Sequence, residues 1–363
     1  MKIVADDFGV RSGLYLRRAG AGAQQSGQGG GDQVMPGHVV STLSMASGTA
    51  IRDTIVPMTR QPMIPLSFPG AAPLQRIDIG AVHILRLDQS GGPAPGNKRF
   101  KLRYHLAAAK ARGRKRILSF GGAWSNHLHA LAAVGAELGL ETIGIVRGGE
   151  HSTPMLEDAR AWGMELVPVS REEYRRRADP NYIEALAARF GPCLVVPEGG
   201  GGAEGVRGCL DIAGMINQLE RHWSRVVVAV GTGTTLAGLA AGLACADELL
   251  GVAALKGAPG LDAAVQQALD TAGLAARLPW RIDHDYHCGG FARSNAALRL
   301  FMQEFEQAQR VPLEPVYTGK ALFAVHSLLA SGQWSATEPV LVVHTGGLQG
   351  RRGYDWLDRG HLD

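Results

Sequence analysis

The sequence predicts an α/β protein built on parallel sheets with helices on both faces. Several strands read as unbroken apolar, β-branched runs, such as RVVVAV at 225–230 and PVLVVHT at 339–345. Such runs mark strands buried on both faces. They alternate with segments of helical period, the rhythm of strand–helix–strand units. Glycine is frequent, 49 of 363 residues, which suits many tight turns at strand ends.

The first sixty or so residues stand apart. The stretch GAGAQQSGQGGGD at 20–32 has little apolar content and no period, and cannot offset the entropy of ordering. Residues 1–63 are therefore expected to be a disordered extension, or to precede a true start at Met58 or Met63. Arg17-Arg18 is not followed by the apolar core of a secretory signal.

From residue 64 the pattern is regular. GGPAPGNKRFKLRYHL at 91–106 is a Gly/Pro-rich loop ending in Gly96-Asn97-Lys98, followed by an amphipathic run with Phe100, Leu102 and Leu106. RILSF at 116–120 reads as a strand and precedes a helix over 125–138. TIGIV at 142–146 leads to a helix over 154–162, with Thr153 as N-cap, Pro154 in the first turn and Gly163 as the stop. ELVPV at 165–169 and CLVVP at 193–197 continue the series. The 225–230 strand leads to a helix expected over 234–246, and the runs at 249–255 and 339–345 complete the set. There is no internal repeat.

Composition narrows the function. Apolar residues make up 45%, and 37 basic against 33 acidic residues leave a net charge of only +4. That is too mild to imply a nucleic-acid partner. The clusters at 110–116 and at Arg175-Arg176-Arg177 read as solvated helix faces. Cys193, Cys209, Cys245 and Cys288 form no CxxC pair and lack zinc-ligand spacing. They are expected to be free thiols in a reducing, cytoplasmic setting, and no metal site is expected. No apolar run is long enough to span a bilayer.

In parallel sheets of this kind, ligands bind beyond the carboxyl ends of the strands. After 116–120 comes Gly121-Gly122-Ala123-Trp124-Ser125-Asn126-His127. Ser125 and Asn126 stand at a helix start, where free N–H groups favour an anion, although Ser125 could equally be a plain N-cap. After 225–230 comes Gly231-Thr232-Gly233-Thr234-Thr235, which is neither GxxxxGK[ST] nor GxGxxG. It suits a single phosphate monoester at a helix N-terminus, or else is an ordinary tight turn. The run Glu198–Gly205 contains four consecutive glycines, so either a ligand passes close to its backbone or it moves. HTGGLQG at 344–350 places Thr345 at a strand end, and PVYTGKA at 315–321 opens a helix with Tyr317 and Thr318.

Lys98 near such loops suggests a covalent aldehyde cofactor, since lysine forms a Schiff base with pyridoxal phosphate. Neighbouring positive charge on Arg99 and Lys101 would help keep its amine neutral. A surface lysine at a basic helix start is the plain alternative.

Taken together, GNKRFKL, SFGGAWSNHLHALAA, TPMLEDARAWGM, PEGGGGAEGVRG, VGTGTTLAGLAAG, PVYTGKA and HTGGLQG occur in one order and spacing. In that set the chain resembles the 1-aminocyclopropane-1-carboxylate deaminase and D-cysteine desulfhydrase family, over about residues 65–354. The resemblance implies a pyridoxal 5'-phosphate enzyme of the tryptophan synthase β-like fold, fold type II. It implies a large domain of 64–101 plus 192–363, a small domain of 102–191, and a homodimer. It assigns Lys98 to the cofactor aldehyde and to the Cα proton, Asn126 to the ring hydroxyl and Ser125 to the substrate carboxylate. Gly231, Thr232, Gly233, Thr234 and Thr235 would hold the phosphate. Tyr317 would lie against the ring as a second acid–base group, with Thr318 and Thr345 near the pyridine nitrogen.

In the deaminase branch a glutamate and a leucine stand where this chain has Thr318 and Thr345. Neutral hydroxyls leave the ring a weaker electron sink, which favours β-elimination of a thiolate over opening a cyclopropane. Phe291 stands where the family often has tyrosine. The expected reaction is D-cysteine to pyruvate, ammonia and hydrogen sulfide. The rivals are the ring-opening deaminase and a noncatalytic phosphometabolite-binding protein on the same fold.

Overall fold

The structure, a computed structural model, describes residues 72–148 and 152–357. The expected N-terminal extension lies outside the described residues. In chain order the elements are β1 (Leu74–Arg76), β2 (Val82–Arg86), α1 (Asn97–Ala111), β3 (Arg116–Gly122), α2 (Asn126–Leu138), β4 (Glu141–Arg147), α3 (Pro154–Ala161) and β5 (Glu165–Val169). Then come α4 (Arg171–Arg175), α5 (Pro180–Phe190), β6 (Cys193–Val195), α6 (Gly202–Asn217), β7 (Trp223–Val230), α7 (Thr234–Gly242) and β8 (Ala246–Ala253). The remainder are α8 (Leu261–Ala272), β9 (Trp280–Asp283), α9 (Ala296–Gln309), α10 (Thr318–Ala330) and β10 (Val340–His344).

The strands form two sheets. One has six strands in the order β1-β2-β10-β7-β8-β9, and the other four in the order β5-β4-β3-β6. Every pairing is parallel except β1 with β2, which is antiparallel. β1 is thus an antiparallel edge strand on an otherwise parallel sheet, a feature its three residues gave no period to reveal.

The apolar runs are buried on both faces, as their composition demands. Along β7, Val226, Val228 and Val230 pack into one core with Leu341 and Val343, whereas Val227 packs into another with Leu250, Val252, Val340 and Val342. The four-stranded sheet does the same: Ile117 and Val146 face one cluster, and Leu118, Phe120, Ile143 and Ile145 the other. Alternation with period two drives this sorting.

One expected boundary moves. The helix after β7 stops at Gly242 rather than 246, and Leu243 is already extended. Asn217 ends it: its Nδ2 donates to the Gly242 carbonyl (2.9 Å) and its Oδ1 accepts from Ala244 N–H (3.0 Å). Residues from Ala246 then pair with β7, starting at Trp223. A side chain distant in sequence overrides the helical preference of an alanine-rich segment. The four-glycine run also resolves. It is a short 3-10 turn at Glu198–Gly200 that feeds directly into α6.

Candidate active site

The carboxyl ends of β3, β7, β8 and β10 open onto one cavity of about 1000 Å³. It is built outward from the start of α1. Gly96 adopts φ 106° and pairs with Gly346 in an isolated antiparallel bridge, while Asn97 N–H donates to the Thr345 carbonyl at 3.1 Å. A Cβ on Gly96 would collide with that carbonyl, so only glycine lets the loop after β10 clamp the helix start. Lys98 follows with its side chain facing the cavity.

The Lys98 amine has an unusual setting. Its Nζ donates to Asn97 Oδ1 at 3.0 Å, and Asn97 Nδ2 donates to Thr235 Oγ1 at 3.0 Å. One amide therefore links the lysine to the glycine–threonine turn 138 residues away in sequence. Burial, reinforced by the nearby Lys101 ammonium, lowers the Lys98 pKa to about 7. Arg99 plays no part in this, contrary to the sequence expectation. Its guanidinium is paired with Glu137 at 3.0 Å. Desolvation first, and of the two basic neighbours on the helix only Lys101, make the amine available.

Ser125 caps α2, its Oγ accepting from Leu128 N–H at 3.2 Å. That leaves the hydroxyl proton to donate, beside the unpaired N–H groups of the first helical turn. Asn126 Oδ1 accepts from Gln349 Nε2 at 3.0 Å, which ties α2 to the loop after β10. His127 is buried, with Nε2 2.8 Å from Ser119 Oγ. Ser119 spends its proton on the Val196 carbonyl at 2.7 Å, so His127 donates through Nε2. Its Nδ1 is left as a buried acceptor with no partner on a residue lining the cavity. Burial first, then the charges of Lys98 and Lys101, hold this imidazole neutral.

Across the cavity, Gly231, Thr232, Gly233 and Thr235 lie at the start of α7. A Cβ on Gly231 would lie 3.0 Å from Tyr317 Cε1, so the turn and the tyrosine ring share one close-packed wall. Burial and the charges of Glu314 and Glu198 raise the Tyr317 pKa, which keeps its phenol protonated. Phe291 meets the Tyr317 ring edge-on at 6.2 Å between centroids.

The structure thus brings Lys98, Ser125, Asn126, Gly231, Thr232, Gly233, Thr235, Tyr317 and Thr345 to one cavity. Thr234 and Thr318 stand behind its wall. The Thr234 hydroxyl meets Thr232 Oγ1 at 3.2 Å, and the Thr318 hydroxyl accepts from Glu314 N–H at 3.0 Å.

Sequence reading passed over Asn97, His127 and Glu314. The first two had a signal in their position beside assigned residues; Glu314 lay just ahead of PVYTGKA. Its buried carboxylate accepts from the N–H groups of Val316, Tyr317 and Thr318 at 2.8, 2.7 and 2.6 Å. Burial raises its pKa, and those three bonds oppose the shift. Glu198, also on the wall, accepts from Tyr174 Oη and from Arg177 Nε, each at 2.6 Å. Arg177 is therefore an inward tether and not part of a solvated face. Lys98, Lys101, Arg147, Lys256 and Arg293 also line the cavity, so its field favours anions.

Comparison with known proteins agrees with this chemistry. Residues 68–346 match the family described as pyridoxal-phosphate dependent enzyme. The chain belongs to that family. It is 30% identical over 284 residues to the D-cysteine desulfhydrase of Salmonella typhi, covering 73% of this chain and 86% of the relative. It is 29% identical over 302 residues to a Pyrococcus horikoshii protein provisionally named 1-aminocyclopropane-1-carboxylate deaminase, covering 79% and 92%. A crystal structure of an ACC deaminase homologue superposes with a TM-score of 0.69 at 27% identity, covering 81% of this chain and 94% of the other. An L-serine ammonia-lyase from Rhizomucor miehei, 17% identical with a TM-score of 0.55 and covering 80% and 99%, shares the fold.

The family's cofactor is pyridoxal phosphate, and the residues fit it. The Lys98 amine has one neutral acceptor and a pKa near 7, α7 begins on a glycine turn open to the cavity, and His127 Nδ1 is an unpaired buried acceptor. Among the described residues no helix is long and apolar enough to cross a membrane, and no group of His, Cys, Asp or Glu is placed to hold a metal.

Proposed function

We propose that the protein is a lyase that eliminates the β-substituent of a small amino acid, with D-cysteine as substrate. D-Cysteine and water give pyruvate, ammonia and hydrogen sulfide. Bound pyridoxal phosphate supplies the electron sink for the pair left when the Cα proton departs. Lys98 Nζ would hold the cofactor aldehyde and, when freed of it, would take the Cα proton. An amine with pKa about 7 is neutral often enough at neutral pH to do both. Ser125 Oγ and the start of α2 bind the substrate carboxylate, and Asn126 bonds the ring hydroxyl. The start of α7 with the hydroxyls of Thr232 and Thr235 binds the phosphate. Tyr317, held protonated, is the proton donor on the opposite wall. Phe291 beside it neither donates nor accepts, so that wall suits a small sulfur-bearing side chain better than a polar one.

The observation that carries elimination over ring opening is the state of the carboxylates. Among the described residues lining the cavity these are Glu198 and Glu314, and every oxygen of both already accepts a hydrogen bond from the protein. Both are engaged by protein donors rather than presented bare to the pyridine nitrogen, and Thr345 offers only a hydroxyl. A weaker sink suffices to expel a thiolate. In this reading the six-stranded sheet is the core of a large domain (64–101 with 192–363), and β3, β4 and β5 lie in a small domain (102–191) whose sheet is completed by β6 (Cys193–Val195), just past that bound. Four free cysteines fit a cytoplasmic enzyme.

The test is a paired assay of the purified protein with D-cysteine and with 1-aminocyclopropane-1-carboxylate. Sulfide and pyruvate from the first alone support the reading. 2-Oxobutanoate and ammonia from the second, without sulfide from the first, overturn it.

A further inference from the structure

Lys320, in the first turn of α10, lies behind the cavity wall, fully buried. No carboxylate among the described residues forms an ion pair with it. Its Nζ instead donates to the Ala254 carbonyl at 3.0 Å and to the Gly290 carbonyl at 2.7 Å. Those two oxygens belong to buried residues of separate stretches, Ala254 just after β8 and Gly290 in the loop that follows β9. Each stretch continues into the cavity wall, the first through Leu255 and Lys256, the second through Phe291 and Arg293.

The second stretch is held against its own preference. Cys288 and Ala292 adopt φ 50° and 55°, in the left-handed region that residues with a Cβ avoid. Such a segment persists only where its surroundings impose it. Tyr354 Oη pins one end by donating to the Ala292 carbonyl at 3.2 Å, and Lys320 pins the middle while also reaching the neighbouring loop.

We propose that Lys320 is a tethered cation that locks the 254–258 and 288–292 loops together. It thereby sets the place of Phe291 against Tyr317, as a positioning residue for the substrate-side wall. Burial costs this amine its proton affinity, drawing its pKa down to about 8. A methionine of similar length would fill the space without that cost. What methionine lacks is the pair of N–H donors; without them two buried carbonyls from two loops are stranded and the strained turn is free to relax. The role holds for any occupant of the cavity and is independent of the substrate proposed above.

The test needs no substrate. Lys256 and Arg293 are exposed on the two tethered loops, so trypsin can report on their opening. Limited digestion of the holoenzyme, read by mass spectrometry, compares cleavage after these residues with cleavage after exposed Lys115 on the remote α1–β3 turn. In Lys320→Ala, cleavage at 256 and 293 rises about tenfold or more while that at 115 is unchanged. Ammonium chloride reverses the rise by entering the space left by the side chain, and sodium chloride at equal concentration does not. Lys320→Met opens the same bonds but does not respond to ammonium, because its side chain fills that space. If Lys320→Ala fails to fold, Lys320→Met decides alone. Wild-type cleavage rates in Lys320→Met overturn the proposal. So does an equal rise at all three bonds, or an equal ammonium response in both variants.

Discussion

Two desolvated lysines stand near helix starts, Lys98 on α1, partly buried at the cavity, and Lys320 on α10, fully buried. Burial depresses both, to about 7 and about 8. They differ in what they touch. Lys320 is bonded to two backbone carbonyls and lies behind the cavity wall. Lys98 has one neutral side-chain acceptor, faces the cavity and is linked through Asn97 to the turn at the start of α7. On the proposed reading the same group, desolvated in both places, is scaffold in one and reagent in the other. The pKa shift does not distinguish them; the number of fixed partners does. A reactive amine must be able to leave its partner, and a brace must not.

The largest effect expected from this contrast is at Lys98. Lys98→Ala should fold, since it removes an amine whose charged form burial disfavours. It should lose at least about 10⁴-fold in turnover, along with the visible absorption that pyridoxal phosphate acquires on coupling to the protein. A variant retaining borohydride-sensitive colour and activity would reverse the roles of the two lysines. Asn97→Leu sharpens the same point. It deletes both bonds that hold Lys98 toward Thr235, and a loss of about 10- to 100-fold in kcat/KM is expected.

A smaller effect tests the cause of the lowered amine pKa. The rate at which apoenzyme couples to pyridoxal phosphate should rise about tenfold per pH unit below 7 and level off above it, as the neutral amine becomes populated. A rate still climbing toward pH 10 would mean that burial does not set the amine. Lys101 is the second cause of the shift, after desolvation. Lys101→Met removes a positive charge, so the Lys98 pKa moves up. The midpoint moves up with it, and coupling at pH 7 slows by less than about tenfold.

The difference between the two lysines also marks how far the sequence could be read. The parallel sheets were legible because Val226, Val227, Val228 and their counterparts form apolar runs with no polar face. The loops at strand ends were legible because Lys98, Ser125, Asn126 and the glycine–threonine turn stand out as polar or glycine-rich breaks after apolar runs, and the fold brings them to one cavity. Part of what stayed hidden depends on contacts between separate segments, such as the Asn217 cap that shortens α7. The Ser119–His127 pair and the three N–H groups that occupy Glu314 are close in sequence, but no periodic or capping pattern announces them. Lys320 lay inside PVYTGKA, in plain view, but its carbonyl partners are 66 and 30 residues away. Arg99 misled for the same reason: its charge is cancelled by Glu137, which only the fold brings near.

The smallest effect separates a working hydroxyl from a capping one. Ser125 caps α2 and Asn295 caps α9, each accepting from the N–H three residues on, at 3.2 and 2.9 Å. As caps they are equivalent, and Ser125→Ala and Asn295→Ala should each cost about 1 kcal/mol of stability, read from urea denaturation. Only Ser125 lines the cavity, and only its hydroxyl retains a proton to offer a carboxylate there. Ser125→Ala should therefore raise KM by about 5- to 10-fold, the worth of one hydrogen bond to a charged group, while Asn295→Ala leaves KM where it was. Equal KM values in the two variants would make Ser125 a cap and nothing more. The substrate carboxylate would then rest on the backbone N–H groups at the start of α2, which neither substitution removes.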